Sequence, residues 1–198
     1  IIQDQSLART YTIEFEEMFG SSTAQPNSSN ALFGPYKLNN TPHEFVIGNK
    51  RIECYFSPSD GVNQKIIDKV NSGDHEVFVN TMLITRSDIG YALRDQYNAG
   101  LDVKALVNTF GQCSNTVINT LNGSLDTNFR EFAEQHILHH KLMIVDPNYP
   151  ASDPIVLTGC HNWSNSADQK NDENTLVIHD DTIANIYFQE FSKRWYYT

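Results

Sequence analysis

The chain has 198 residues, of which 39% are hydrophobic and 11% aromatic, and its formal net charge is −10. This length suffices for one well-packed core. The acidic balance argues against avid binding to polyanions, because proteins that bind nucleic acids usually present a basic face to the phosphates. No apolar run approaches the ~20 residues of a transmembrane helix, and no segment has the Lys/Arg density of a polybasic anchor. We therefore expect no stable membrane insertion.

The cysteines are Cys54, Cys113 and Cys160. An odd number leaves at least one thiol free unless it pairs with another chain, and it does not fix a redox compartment. The chain begins with Ile1 instead of Met, without a recognisable signal or transit segment. We expect a piece of a longer protein whose targeting information lies elsewhere, so the localisation stays open.

The first and last 20 residues share one pattern, in which a polar turn precedes a helix with aromatic residues at every fourth position. The aromatic residues correspond at a separation of 176 positions: Tyr11 with Tyr187, Phe15 with Phe191, and Phe19 with Trp195. Two unrelated terminal helices could look alike, but tandem repeats in the parent protein explain the match better. Residues 1–20 are then the tail of an upstream repeat.

Residues 21–50 are rich in Ser, Asn, Pro and Gly without clear periodicity, which predicts a linker or arm. From residue 51 onward, strand and helix patterns alternate. Ile52, Cys54 and Phe56 predict a strand, and similar apolar runs recur near residues 77, 103, 142, 155 and 175. This alternation predicts an α/β domain over 51–198, with a mixed, largely parallel sheet.

The segment from Leu138 to Asp146 carries the most informative spacing, His139-x-Lys141-x4-Asp146. Alternate side chains of a strand face the same way, so His139 and Lys141 should lie on one side and His140 on the other. An imidazole and an ammonium could then meet a small anion together. We expect His140 to be a packing or hydrogen-bonding neighbour.

Two further segments add polar groups at strand ends. Gly159 permits a close backbone approach, and Asn162 offers an amide donor for a phosphoryl oxygen. Glu173 stands at the start of an apolar strand, where a carboxylate can orient a histidine through its second ring nitrogen.

These three segments closely resemble the phospholipase D superfamily. Its signature is His-x-Lys-x4-Asp, followed by a Gly-Ser-x-Asn turn and an Asn-x-Glu-Asn segment. The matching residues are His139/Lys141/Asp146, Gly159-Cys160-His161-Asn162 and Asn171-Asp172-Glu173-Asn174. The resemblance covers roughly Ile52 to Trp195 and implies a layered α/β/α sandwich. Cys160 replaces the usual serine, and a thiol is the weaker hydrogen-bonding group. Any contact that the serine makes is therefore in doubt here.

The resemblance implies a metal-independent phosphodiesterase, without cofactors, that works through a phosphohistidine. His139 is the implied nucleophile or general acid, Lys141 and Asn162 bind the phosphate, and Glu173 orients His139. Asp146 belongs to the signature, but its place at the far end of the strand predicts a structural role. The second histidine must come from an upstream repeat or from a second copy of this chain. The acidity favours a phospholipid head group over nucleic acid as substrate.

Other interpretations remain beside this one. His136, His139 and His140 could suggest a metal site, but suitably spaced Cys or carboxylate ligands are lacking. The chain could be an endonuclease that acts as a homodimer. It could also be a binding or scaffold module, in which His139 is a structural histidine of a repeat that has lost activity.

Overall fold

A computed structural model describes residues 1–198 as an eight-stranded sheet flanked by helices. The α-helices are α1 (Gln5–Phe19), α2 (Val62–Asn71), α3 (Ser87–Asn98), α4 (Asn115–Leu125), α5 (Asn165–Gln169) and α6 (Asp181–Tyr196). The strands are β1 (Glu44–Ile47), β2 (Lys50–Ser57), β3 (Glu76–Thr81), β4 (Asp102–Val107), β5 (Phe129–Glu131), β6 (Lys141–Val145), β7 (Ile155–Gly159) and β8 (Glu173–His179).

The sheet separates two hydrophobic layers, as alternating side chains require. On one face, α2, α3 and α4 pack through residues such as Ile66, Leu93 and Leu121. On the other face, α6 packs through Phe191 and α1 through Leu7. This arrangement confirms the predicted α/β/α sandwich. No helix is both long and apolar enough to span a membrane.

The strand order is β1-β2-β8-β7-β6-β3-β4-β5. Only the β3–β4 and β4–β5 pairings are parallel, and the other five are antiparallel. The sheet is mixed, as predicted, but the expectation of a largely parallel sheet is wrong. Parallel neighbours need a crossover of a dozen or more residues. The connection between β6 and β7 is shorter and contains no α-helix, so these strands turn back on each other.

The N-terminal region contributes to this sheet. The predicted linker over 21–50 is irregular along most of its length, but its last part forms β1, which pairs with β2 along the edge of the sheet. The predicted helices at both ends are present, and both begin at an aspartate N-cap. Asp4 accepts from the backbone of Leu7, and Asp180 accepts from the backbone of Ile183. The origin of residues 1–20 in an upstream repeat stays a prediction.

Candidate active site

The sheet topology brings the three signature segments to one edge. Strands β6 and β8 begin there, while the antiparallel strand β7 between them ends there. Lys141 pairs with Thr81 at the end of β3, and Glu173 pairs with Ser57 at the end of β2. Residues far apart in the chain, from Ser57 to Glu173, therefore converge because of the strand directions.

His139 and Lys141 lie where β6 begins. His139 is exposed, whereas Lys141 is buried, with 6% of its surface accessible. The Lys141 Nζ donates to the backbone carbonyl of His139 at 3.0 Å. The backbone of the exposed His139 thus holds the ammonium of Lys141 in place.

His140 lies on the opposite face, as the strand alternation predicts. Its Nε2 atom is 3.6 Å from the Glu190 carboxylate of α6, and its backbone carbonyl accepts from the Met82 amide. His140 is the packing and hydrogen-bonding neighbour that the sequence indicated.

Burial and charge act against each other at Lys141. Burial lowers the pKa of its ammonium below the usual lysine range, while the carboxylate of Glu173 opposes this shift. Burying an ammonium with few hydrogen-bonding partners costs folding free energy unless an anion pairs with it. Lys141 is therefore suited to bind one.

The structure places Glu173 close to Lys141 without the expected hydrogen bond to His139. Its carboxylate accepts from the side chain of Asn171 at 3.0 Å. The prediction that Glu173 orients His139 is not met in this geometry, because the carboxylate bonds to Asn171, just before β8.

The turn after β7 depends on Gly159. A Cβ atom at this position would lie 2.1 Å from the backbone oxygen of Asn174, which is a severe overlap. Cys160 follows, and its sulfur accepts from the backbone and side-chain nitrogens of Asn174 at 3.2 and 3.4 Å. The thiol therefore ties the turn to the start of β8. Partial desolvation of the sulfur and the nearby carboxylate of Glu173 both raise the pKa of Cys160.

Polar atoms without protein partners cluster in the same turn. The Oδ1 atom of Asn162 is buried and has no hydrogen-bond partner, and neither has any ring nitrogen of His161. Burial lowers the pKa of His161, which favours the neutral imidazole. Unpaired buried polar groups are rare and often mark functional sites. The sequence assigned Asn162 to this site but gave His161 no role, because its burial depends on how the turn packs.

Asp146 lies at the opposite end of β6, and this position removes it from the candidate site residues. Its buried carboxylate accepts from the backbone nitrogens of Asp74, His75 and Glu76 at 2.9, 2.9 and 2.6 Å. Asp146 thus fixes the turn that leads into β3, which is the structural role expected from its place in the strand.

No group of three or more His, Cys, Asp or Glu side chains is arranged to hold a metal ion. His136 and His139 are both exposed, and His140 faces α6. The structure therefore offers no metal centre at the three histidines.

The family model described as cardiolipin synthase, PLD-like domain, matches residues 66–195. This match spans well over half of the chain. The chain therefore belongs to the phospholipase D superfamily, as the resemblance of its three motifs predicts.

The chain is 23% identical over 172 residues to a phospholipase D of Rickettsia bellii, with 82% of each protein covered. It is 24% identical over 154 residues to the mitochondrial cardiolipin hydrolase of Chlamydomonas reinhardtii, covering 75% of this chain and 64% of that protein. Among solved structures, it resembles Nuc from Salmonella typhimurium, a phospholipase D family member. That match has a TM-score of 0.60 and 25% identity, over 73% of this chain and 93% of Nuc.

Proposed function

We propose that the chain is a metal-independent phosphodiesterase of the phospholipase D type, in which His139 and Lys141 carry the chemistry. One observation supports this most strongly: the exposed His139 lies two residues before the buried Lys141, at the edge of the sheet where Glu173 lies. A histidine can be nucleophile or acid near neutral pH. A nearby fixed cation stabilises the negative charge of a phosphoryl group.

The proposed reaction has two steps. In the first, a neutral imidazole nitrogen attacks phosphorus, and the bond from phosphorus to the leaving alcohol breaks. A second, protonated histidine gives its proton to that alcohol. In the second step, the same histidine removes a proton from water, whose oxygen attacks phosphorus and releases the first imidazole. Lys141 and Asn162 bind the non-bridging oxygens throughout.

The chain supplies one half of this machinery, because it contains a single His-x-Lys-x4-Asp motif. The other histidine would come from an upstream repeat or from a second copy of the chain. The share of each relative's length that this chain matches favours a second copy as the source of that histidine. A protein named phospholipase D matches over 82% of its own length, and a chain as short as Nuc is covered over 93%.

A phospholipid head-group ester is the favoured substrate, since the net charge of −10 disfavours a polyanion. Relatives named phospholipase D and cardiolipin hydrolase agree with this choice. The second candidate is an endonuclease that acts as a homodimer, which the likeness to Nuc keeps open.

Hydrolysis of bis(p-nitrophenyl) phosphate with and without EDTA tests the proposal. We expect turnover that EDTA does not change, from a species that sizing identifies as a dimer, and an acid-labile phosphoryl group on His139. Robust turnover by a monomer would refute the half-site. No turnover by dimer or monomer would favour the scaffold module. Plasmid nicking without phosphatidylcholine hydrolysis would favour the endonuclease.

A further inference from the structure

The N-terminal arm, residues 21–43, connects α1 to β1 and contacts the candidate active site on the way. The family model matches residues 66–195 and does not extend to the arm. Its residues Gly34 and Lys37 nevertheless contact the segment that leads into β8. The arm therefore belongs to the surroundings of Glu173, which begins that strand.

Helix α1 holds the arm in place. The backbone carbonyl of Glu17 accepts from the amide of Leu32 at 3.1 Å, and its side chain accepts from the amide of Leu38 at 3.0 Å. Next to the second contact, Lys37 pairs with Glu14 of α1, and both side chains are almost fully buried. Because removing one partner of a buried ion pair is costly, this pair fixes the arm relative to α1.

The arm contacts the signature segment at Asp172, directly before Glu173. The Gly34 amide donates to the Asp172 carboxylate at 2.7 Å, and the Lys37 ammonium lies 3.4 Å from the same oxygen. Hydrogen bonds to an ionised group are stronger than those between neutral groups. Gly34 also packs against the backbone of Lys170, since a Cβ atom at Gly34 would lie 2.7 Å from the Lys170 carbonyl oxygen.

The residue after Glu173 is tied to α1 as well. The Tyr11 hydroxyl donates to the side-chain oxygen of Asn174 at 3.4 Å, and the Asn174 nitrogens donate to the sulfur of Cys160. Glu173 itself lies near Lys141, because its carboxylate opposes the fall in the pKa of that lysine that burial causes. A shift of the segment would therefore change the charge that faces Lys141.

We propose that the N-terminal arm positions Glu173 beside Lys141 through its contacts with Asp172. Gly34 and Lys37 are then positioning residues, which act on the reaction through the signature segment. A misplacement of ~1 Å caused by a distant substitution can lower a rate about 10²-fold. The inference rests on the proposed function, because the position of Glu173 matters to turnover only if this edge receives a phosphate.

Two glycine variants test the proposal in the assembled protein. Gly34 and Gly48 have similar positive φ angles of 53° and 56°, so alanine strains the backbone alike at both positions. A Cβ atom at Gly34 meets the Lys170 carbonyl, whereas nothing lies within 4 Å of one at Gly48. With bis(p-nitrophenyl) phosphate, Gly34→Ala should lower kcat by about 10- to 100-fold, and Gly48→Ala should stay close to wild type. Equal kcat in the two variants would overturn the proposal.

Labelling of Cys160 provides a readout that does not require turnover. Iodoacetamide is added to the folded protein, and mass spectrometry follows the modification of each cysteine. Gly34→Ala should speed the labelling of Cys160, because burial and the nearby Glu173 carboxylate, which both raise the pKa of its thiol, would act on it less. Cys113, whose sulfur accepts from the Ile84 amide instead, should keep its wild-type rate. Equal acceleration at both cysteines would indicate a loosened fold and overturn the proposal.

A second variant covers the case in which Gly34→Ala does not fold. The double variant Glu14→Gln/Lys37→Met removes the buried ion pair without leaving a single buried charge behind. It should lower kcat and speed the labelling of Cys160, as Gly34→Ala does. Unchanged kcat and labelling would refute the positioning role and leave the proposed function standing. No turnover by the wild-type protein would refute the proposed function and, with it, any role of the arm in the reaction.

Discussion

The sulfur of Cys160 lies 3.2 Å from the backbone nitrogen of Asn174, across the gap between the end of β7 and the start of β8. Cys160 replaces the serine of the family's motif. This contact shows that its thiol still connects the two signature segments. A sulfur acceptor is weaker than a hydroxyl oxygen. Cys160→Ser should therefore keep the turn and leave turnover close to that of the wild type.

Alkylation of Cys160 should inactivate the protein. Cys160 is exposed, while Cys54 is buried, and an added carboxamidomethyl group would crowd Glu173 and Lys141. Because the pKa of Cys160 is raised, the reaction with iodoacetamide should be slower near pH 7.5 than that of a free thiol. Mass spectrometry locates the label, and activity is assayed in parallel. Loss of activity in alkylated Cys160→Ser would show that another residue is responsible.

Asp146→Ala should destabilise the fold by roughly 3–5 kcal/mol, because three backbone donors lose a buried, charged acceptor. The residue also has a positive φ of 51°, which alanine adopts less readily than asparagine. Urea unfolding measures the change. Asp146→Asn is the matched variant and should retain part of the stability. A direct catalytic role would be indicated if Asp146→Ala lowered kcat without changing the free energy of unfolding.

The buried carboxylate of Glu53, on β2, predicts how the stability of the fold depends on pH. Glu53 is buried and accepts from His179, Lys69 and Tyr55 at 2.8, 2.7 and 2.8 Å. Burial alone would raise its pKa, but these hydrogen bonds outweigh that effect and lower the pKa to about 2.

The folded pKa of Glu53 lies below its unfolded value of ~4.3. Its stabilising contribution, about 3 kcal/mol, is therefore present above that unfolded pKa and is lost as the pH falls toward 2. Denaturant titrations between pH 6 and pH 2 should show this loss for the wild type, but not for Glu53→Gln. Glu44→Gln, at an exposed position of β1, should keep the wild-type slope. Parallel profiles for wild type and Glu53→Gln would contradict the prediction.

The fold class and the motifs could be predicted because they depend on local patterns. The strand periods, the terminal helices and the His139-x-Lys141 spacing are all visible within short windows of sequence. The short strand β1 was missed because residues 44–47 follow a segment without periodicity. The sequence did not predict which neighbouring strands are antiparallel, because a turn and a crossover connection are hard to distinguish before the strands are paired.

The site was only partly visible for a similar reason. Contacts between distant segments decide which groups meet, and no pattern in the sequence marks them. Lys37 is buried between Glu14 and Asp172, although nothing around it in the sequence predicts a buried lysine. Likewise, Glu173 precedes an apolar strand as expected, but its hydrogen bond to Asn171 follows from the local turn.

The central claim is that His139, and not its neighbour, performs the chemistry. His139→Ala and His140→Ala form a matched pair, because the residues are adjacent and His140 faces α6. In the assembled protein with bis(p-nitrophenyl) phosphate, His139→Ala should lower kcat by ~10²–10⁴-fold or more, and His140→Ala should stay within a few-fold of wild type. Equal losses in the two variants, or an unchanged kcat in His139→Ala, would contradict the account.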